Sequence, residues 1–150
     1  MKVRKAIPTD APSIVDFQLK MAAETEGIIL DKEIVTPGVK AVFDDPSKGC
    51  YYVTENNHVV VGSLLTTYEW SDWRNGTVIW IQSVYVMPEF RRMGVYRSMY
   101  AHLQDLVQKD PALKGIRLYA DMSNKIAHQA YHKLGMISDH YQTFEWLKTS

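Results

Sequence analysis

Arg91-Arg92-Met93-Gly94-Val95-Tyr96 places two guanidinium groups and a glycine between an apolar run and an amphipathic one. The run 77–87 reads as a strand and 95–108 as a helix, with an inward stripe of Val95, Met99, Leu103 and Leu106. The first N–H groups of a helix lack intrahelical partners, and the helix dipole favours negative charge beside them. Glycine lets the backbone approach a ligand closely. Arg97, in the first helical turn, adds another cation. The chemistry implied is phosphate binding, although arginines ahead of a helix are more commonly solvated surface charge. Neither a P-loop pattern nor Gly-x-Gly-x-x-Gly is present, so the two commonest phosphate motifs are excluded.

Further along, Tyr131 lies in a helix-like run with Ile126, Ala127, Ala130 and Leu134, stopped by Gly135. Its spacing is that of a core tyrosine. His128 and His132 stand at i and i+4, a spacing able to hold zinc. Gln129 occupies the place where a zinc-protease helix carries its glutamate, and no clear third ligand follows, so no metal is expected. Cys50, the single cysteine among 150 residues, precedes a strand-like Tyr51-Tyr52-Val53 and reads as packing in a reducing compartment.

The elements that position these groups follow from patterning. Residues 2–6 read as an edge strand. Thr9 or Asp10 caps a first helix with Pro12 in its first turn, and Gly27 ends it. A second helix is expected from Thr36 with Pro37 at its first position. Strands over 51–54 and 59–68 flank a tight turn at Glu55-Asn56-Asn57-His58. A longer connection, 69–76, carries Trp70 and Trp73. Strands are also expected over 115–120 and 143–147. Strand 77–87, helix 95–108 and strand 115–120 form a parallel crossover unit, whose ligands bind beyond the strands' carboxyl ends. The arginine turn lies at that end.

Lysine plus arginine balances aspartate plus glutamate at 17 each, so no basic field exists for a nucleic-acid partner. No apolar run approaches a membrane span, and the N-terminus lacks a signal-peptide core. One domain over 1–150 and a cytoplasmic setting are the expectation.

Val84-Tyr85-Val86-Met87-Pro88-Glu89-Phe90-Arg91-Arg92-Met93-Gly94-Val95 resembles the cofactor motif of the GNAT superfamily of N-acetyltransferases. In that family a valine-rich strand ends at proline and Arg/Gln-x-x-Gly-x-Gly/Ala opens the helix. Asn124-x-x-Ala127-x-x-Ala130-Tyr131-x-Lys133-Leu134-Gly135-Met136 resembles the family's second hallmark. Tyr96 and Met136 depart from the pattern, standing where a small residue and a phenylalanine are usual.

The resemblance implies a mixed, mostly antiparallel sheet with a parallel strand-helix-strand unit and helices on both faces. It also implies acyl transfer from acetyl-CoA to a primary amine of a small molecule or peptide. Residues 91–97 would then hold the pyrophosphate, and the main chain of Val84, Tyr85 and Val86 would pair with the pantetheine arm. Tyr131 would protonate the departing thiolate. Asn124 would be either a cofactor ligand or a helix cap.

An amine with pKa near 10 needs a base or a water path at neutral pH. The central strand offers Trp80, Gln82 and Ser83 but no carboxylate. Glu24 and Glu26 at the first helix end, with Glu69 and Asp72 beside the tryptophans, are the acceptor-side candidates. Trp70, Trp73 and Trp80 would offer aromatic faces to a cation. A homodimer contact is the rival role for the tryptophan loop, and a non-catalytic acyl-CoA sensor is the rival function.

Overall fold

The computed structural model describes residues 1–149. The described chain forms two compact units, Met1–Leu118 and a second beginning at Tyr119. The first unit holds β1 (Lys2–Lys5), α1 (Ala11–Glu26), α2 (Lys32–Asp44), β2 (Cys50–Asn56), β3 (Val59–Ser71), β4 (Gly76–Val86), α3 (Val95–Lys109) and β5 (Leu113–Leu118). The five strands lie in the order β1-β2-β3-β4-β5. Neighbours are antiparallel except β4 and β5, which α3 joins as a parallel pair. The mixed sheet and its parallel crossover unit match the sequence expectation.

Alternation along β2 shows how helices cover both faces. Tyr51 stacks with Phe43 of α2 at 5.7 Å between ring centroids. Its neighbour Tyr52 meets His102 of α3 at 5.6 Å on the other face. On the α1/α2 side, Ile14, Val15, Val39, Tyr51 and Val53 form a buried cluster. On α3, Val95, Met99 and Leu103 are buried, as the helical stripe requires.

Several boundaries differ from the sequence reading. Asp10 does not cap α1 with its side chain. Its carboxylate accepts from both terminal nitrogens of Arg4, at 2.8 and 3.0 Å, and from the Ile7 N–H at 2.8 Å. It therefore ties β1 to the helix entry. Helix α2 starts earlier than Thr36 because Asp31 accepts from the Glu33 N–H at 2.9 Å, leaving Pro37 inside the helix. Proline removes one intrahelical donor there, while Val35, Val39, Val42 and Phe43 keep the helix packed on the core.

The β2–β3 turn places Asn57 and His58 at φ 51 and 66°, the left-handed pair that a two-residue hairpin uses. The connection after β3 is shorter than 69–76. Trp70 pairs with Thr77 and Ser71 with Gly76, so Glu69 and Trp70 are strand residues. The expected strand over 143–147 is not formed among the described residues. Strand-like residue types alone supply no inter-strand hydrogen bonds.

In the second unit, α4 (Lys125–Lys133) is capped by Asn124, whose side chain accepts from the Ala127 N–H at 3.1 Å. Gly135, at φ 88°, closes it as expected, with the Met136 N–H returning to the Tyr131 carbonyl at 3.1 Å.

Candidate functional site

A β-bulge divides β4. Leu65 lies opposite Gln82 and Ser63 opposite Tyr85, so Ser83 and Val84 together face the single residue Leu64. Ser83 adopts φ 54°. Parallel pairing with β5 runs only from Thr77 to Ile81. Beyond it, β4 continues to Val86 bonded, among the described residues, to β3 alone. A stretch of main chain comprising Val84, Tyr85 and Val86 is thus available along the edge that β5 has left.

The arginine turn follows directly. Pro88–Phe90 makes a short 3-10 turn, Arg92 sits at φ 63° and Gly94 at φ 78°. The first bond of α3 runs from the Ser98 N–H to the Gly94 carbonyl at 2.9 Å. The N–H groups of Val95, Tyr96 and Arg97 therefore lie ahead of the helical ladder. A hollow of about 260 Å³ adjoins them, lined by Val86, Phe90, Gly94, Val95 and Tyr96 with Arg91, Arg92 and Arg97. Amide donors, positive charge and a glycine facing open space fit a phosphate group. Tyr96 packs toward Tyr100, one turn along α3, with centroids 6.3 Å apart. The exposed Met93 contributes main chain to the turn.

Arg91 is already engaged. Its Nε donates to the Val86 carbonyl at 2.8 Å, and an Nη donates to Glu24 at 2.8 Å. Glu24 also accepts from the Tyr85 hydroxyl at 3.1 Å. The Arg91 hydrogen bond holds the Glu24 carboxyl below the usual carboxylate range. Burial, and then the bond to Glu24, raises the Tyr85 phenol. Sequence separation hid this cluster, since its partners stand 61 and 67 positions after Glu24.

On the α1/α2 face of the sheet, Glu69 accepts from the Trp80 indole N–H at 2.8 Å and from Arg117 at 2.7 Å. These bonds, the Trp80 one first, lower its pKa. The Gln82 amide donates to Thr67 at 2.6 Å. Glu69, Trp80 and Gln82 are therefore brought together across β3 and β4. Trp70 and Trp73 are 65% and 90% exposed at the hairpin between those strands, together with exposed Asp72. That hairpin stands at the opposite end of β4 from the arginine turn, so Trp70, Asp72 and Trp73 are not gathered with it. Glu26 is exposed at the end of α1.

In the second unit, burial raises the Tyr131 phenol above its ordinary value, keeping it protonated at neutral pH. Asn124 acts as the helix cap. His128 and His132 contact the carbonyls of Asp121 and Met136 at 2.9 and 3.2 Å. Among the described residues, no group of three or more His, Cys, Asp or Glu could hold a metal ion. Burial raises the Cys50 thiol, opposite to the shift that activates a nucleophile. Among the described residues, no helix is long and apolar enough to cross a membrane.

The five-stranded mixed sheet with its parallel β4-α3-β5 unit is a fold shared with solved acetyltransferase structures. Residues 18–136 match the Acetyltransferase (GNAT) family, and the chain belongs to it. A crystal structure of a possible acetyltransferase from Clostridium difficile 630 is similar at 39% identity and TM-score 0.93, covering 99% of this chain and 98% of that one. A probable acetyltransferase shares the fold at 16% identity and TM-score 0.87, over 100% and 99% of the two chains. So does AAC(6')-Iy in complex with the bisubstrate analogue CoA-S-monomethyl-acetylneamine, at 12% identity and TM-score 0.77, over 99% and 98%. No curated protein matches the chain significantly.

Proposed function

We propose that the protein transfers an acetyl or longer acyl group from acyl-CoA to a primary amine by direct attack in a ternary complex. The observation that carries this reading is the edge of β4 beyond Ile81, where pairing with β5 stops, running into the N-terminus of α3 at Val95. The edge offers main-chain partners to an extended pantetheine arm. The helix start, Arg92 and Arg97 offer donors and charge to its pyrophosphate.

The amine nitrogen attacks the thioester carbonyl carbon, the C–S bond breaks, and the thiolate takes a proton. Tyr131, protonated and placed in the family's second motif, is the proposed acid. A phenolate left on Tyr131 is reprotonated from solvent or from the acceptor's surplus proton. Glu24 and Glu69 are held by arginines, which makes both weak bases. A water path past Gln82 is therefore the proposed route for the amine proton. Dependence on acyl-CoA makes the cytoplasm the proposed setting.

The test is thiol release from acetyl-CoA with a panel of polyamines, amino sugars, amino acids and peptides. Amine-dependent release that Tyr131→Phe lowers about 10²-fold or more, with acetyl-CoA affinity kept, supports the reading. Tight acetyl-CoA binding without turnover across the panel instead supports the sensor function.

A further inference from the structure

The geometry points to Glu24 and Arg91 as a latch that sets the shape of the phosphate turn, with Arg91 a positioning residue and not a phosphate ligand. This inference rests on the acyl-CoA reading for its functional consequence. Its structural basis is independent of any ligand.

The latch joins three elements. Glu24 comes from the last turn of α1, Tyr85 from β4 beyond the bulge, and Arg91 from the start of the turn itself. One Glu24 oxygen accepts from Tyr85 at 3.1 Å and the other from Arg91 at 2.8 Å. The same guanidinium returns to the Val86 carbonyl at 2.8 Å and lies 5.3 Å from the centre of the Tyr85 ring. Tyr85 is fixed in turn against Phe17 of α1, at 5.0 Å between centroids, and is 4% exposed. Two donor atoms and one face of Arg91 are thereby used within the protein.

The residue after Arg91 shows why such an anchor matters. Arg92 adopts φ 63°, a conformation costly for a residue with a side chain. Strained backbone persists where surrounding contacts over-determine it. Anchoring Arg91 to α1 and β4 supplies that constraint just before the strained step. The N–H groups of Val95, Tyr96 and Arg97 are then presented without an ordering cost at binding.

Simple electrostatics predicts the opposite sign for one substitution, which makes the latch testable. A carboxylate near an anion site repels the ligand, so a pure charge effect makes Glu24→Ala bind coenzyme A more tightly. The latch makes it bind more weakly. Coenzyme A affinity is measured by calorimetry for wild type, Glu24→Ala, Arg91→Met and the double variant.

The expected result is roughly tenfold weaker binding for each single variant, with the double no more than about threefold worse than either. Unchanged or tighter binding by Glu24→Ala, with loss confined to Arg91→Met, overturns the latch and makes Arg91 a direct phosphate ligand. Hydrogen exchange without ligand gives the second readout: both variants should speed exchange at amides 91–97 while β2 and β3 keep their protection. Uniform acceleration, or none at 91–97, also overturns it. Wild-type protein that fails to bind coenzyme A sinks the functional reading, and the exchange experiment still decides the latch.

Discussion

The indole N–H of Trp80 donates to the Glu69 carboxylate at 2.8 Å across neighbouring strands. Arg117 on β5 holds the other oxygen at 2.7 Å, so one carboxylate links β3, β4 and β5. A carboxylate with its pKa lowered by two donors is a poor proton acceptor. Glu69→Gln should therefore leave kcat within about threefold, whereas loss of a true general base costs about 10²–10⁴-fold. Its thermal midpoint should fall, because the Glu69–Arg117 ion pair is lost. Steady-state kinetics and a melting curve check both parts.

Asp10 gives the clearest pH dependence of stability. Its side chain is 8% exposed and its carboxyl is held below the ordinary range, first by Arg4. A depressed folded pKa contributes stability above the unfolded value, near 3.9, and loses it as pH falls through the lower folded value. Asp10→Asn should cost about 2 kcal/mol at pH 7, below the full cost of breaking a buried pair because Arg4 keeps 23% exposure. The gap between variant and wild type should narrow as pH drops below about 4. Urea denaturation at a series of pH values measures it.

Arg92 and Gly94 share the left-handed region but should respond oppositely to substitution. Arg92→Gly relieves the backbone and should stabilise the fold by about 0.5–1 kcal/mol, while removing a cation should weaken coenzyme A binding. Gly94→Ala introduces a Cβ into open space, so its cost is conformational, about 1 kcal/mol, without a clash. It should also weaken binding by displacing the first helical amides. Paired melting and calorimetry measurements separate stability from affinity.

The helices, the hairpin at Asn57-His58 and the parallel crossover were legible because each has a local signal: a stripe, a turn pair or a run length. The phosphate turn was legible for the same reason. Contacts distant in sequence were not. Nothing near Glu24 indicates that it meets Tyr85 and Arg91, and nothing near Asp10 favours Arg4 over a helix cap. Trp70 and Trp73 drew attention by type, yet strand pairing through Ser71 carries them to the end of β4 away from the turn. Residues 143–147 read as a strand, and none is formed there among the described residues. Ser83 carried a faint signal, since Gln82-Ser83 is a polar pair interrupting an apolar run.

Ser83 bears the last prediction, because its conformation sets the register of β4 beyond Gln82. At φ 54° it inserts the extra residue that reverses side-chain parity between Gln82 and Tyr85. Without the insertion, Tyr85 would turn from α1 to the opposite face and Glu24 would lose a donor. Ser83→Gly keeps the left-handed step at lower strain, so stability and coenzyme A binding should both be preserved. Ser83→Val places a β-branched side chain where φ is positive and should cost about 1–3 kcal/mol. If the chain relieves that strain by returning to extended geometry, the register slips and the free edge of β4 is lost with it. Coenzyme A affinity should then fall more than tenfold for Ser83→Val and stay near wild type for Ser83→Gly. Equal affinity for both variants, with Ser83→Val folded by circular dichroism, would show that the bulge is dispensable for binding.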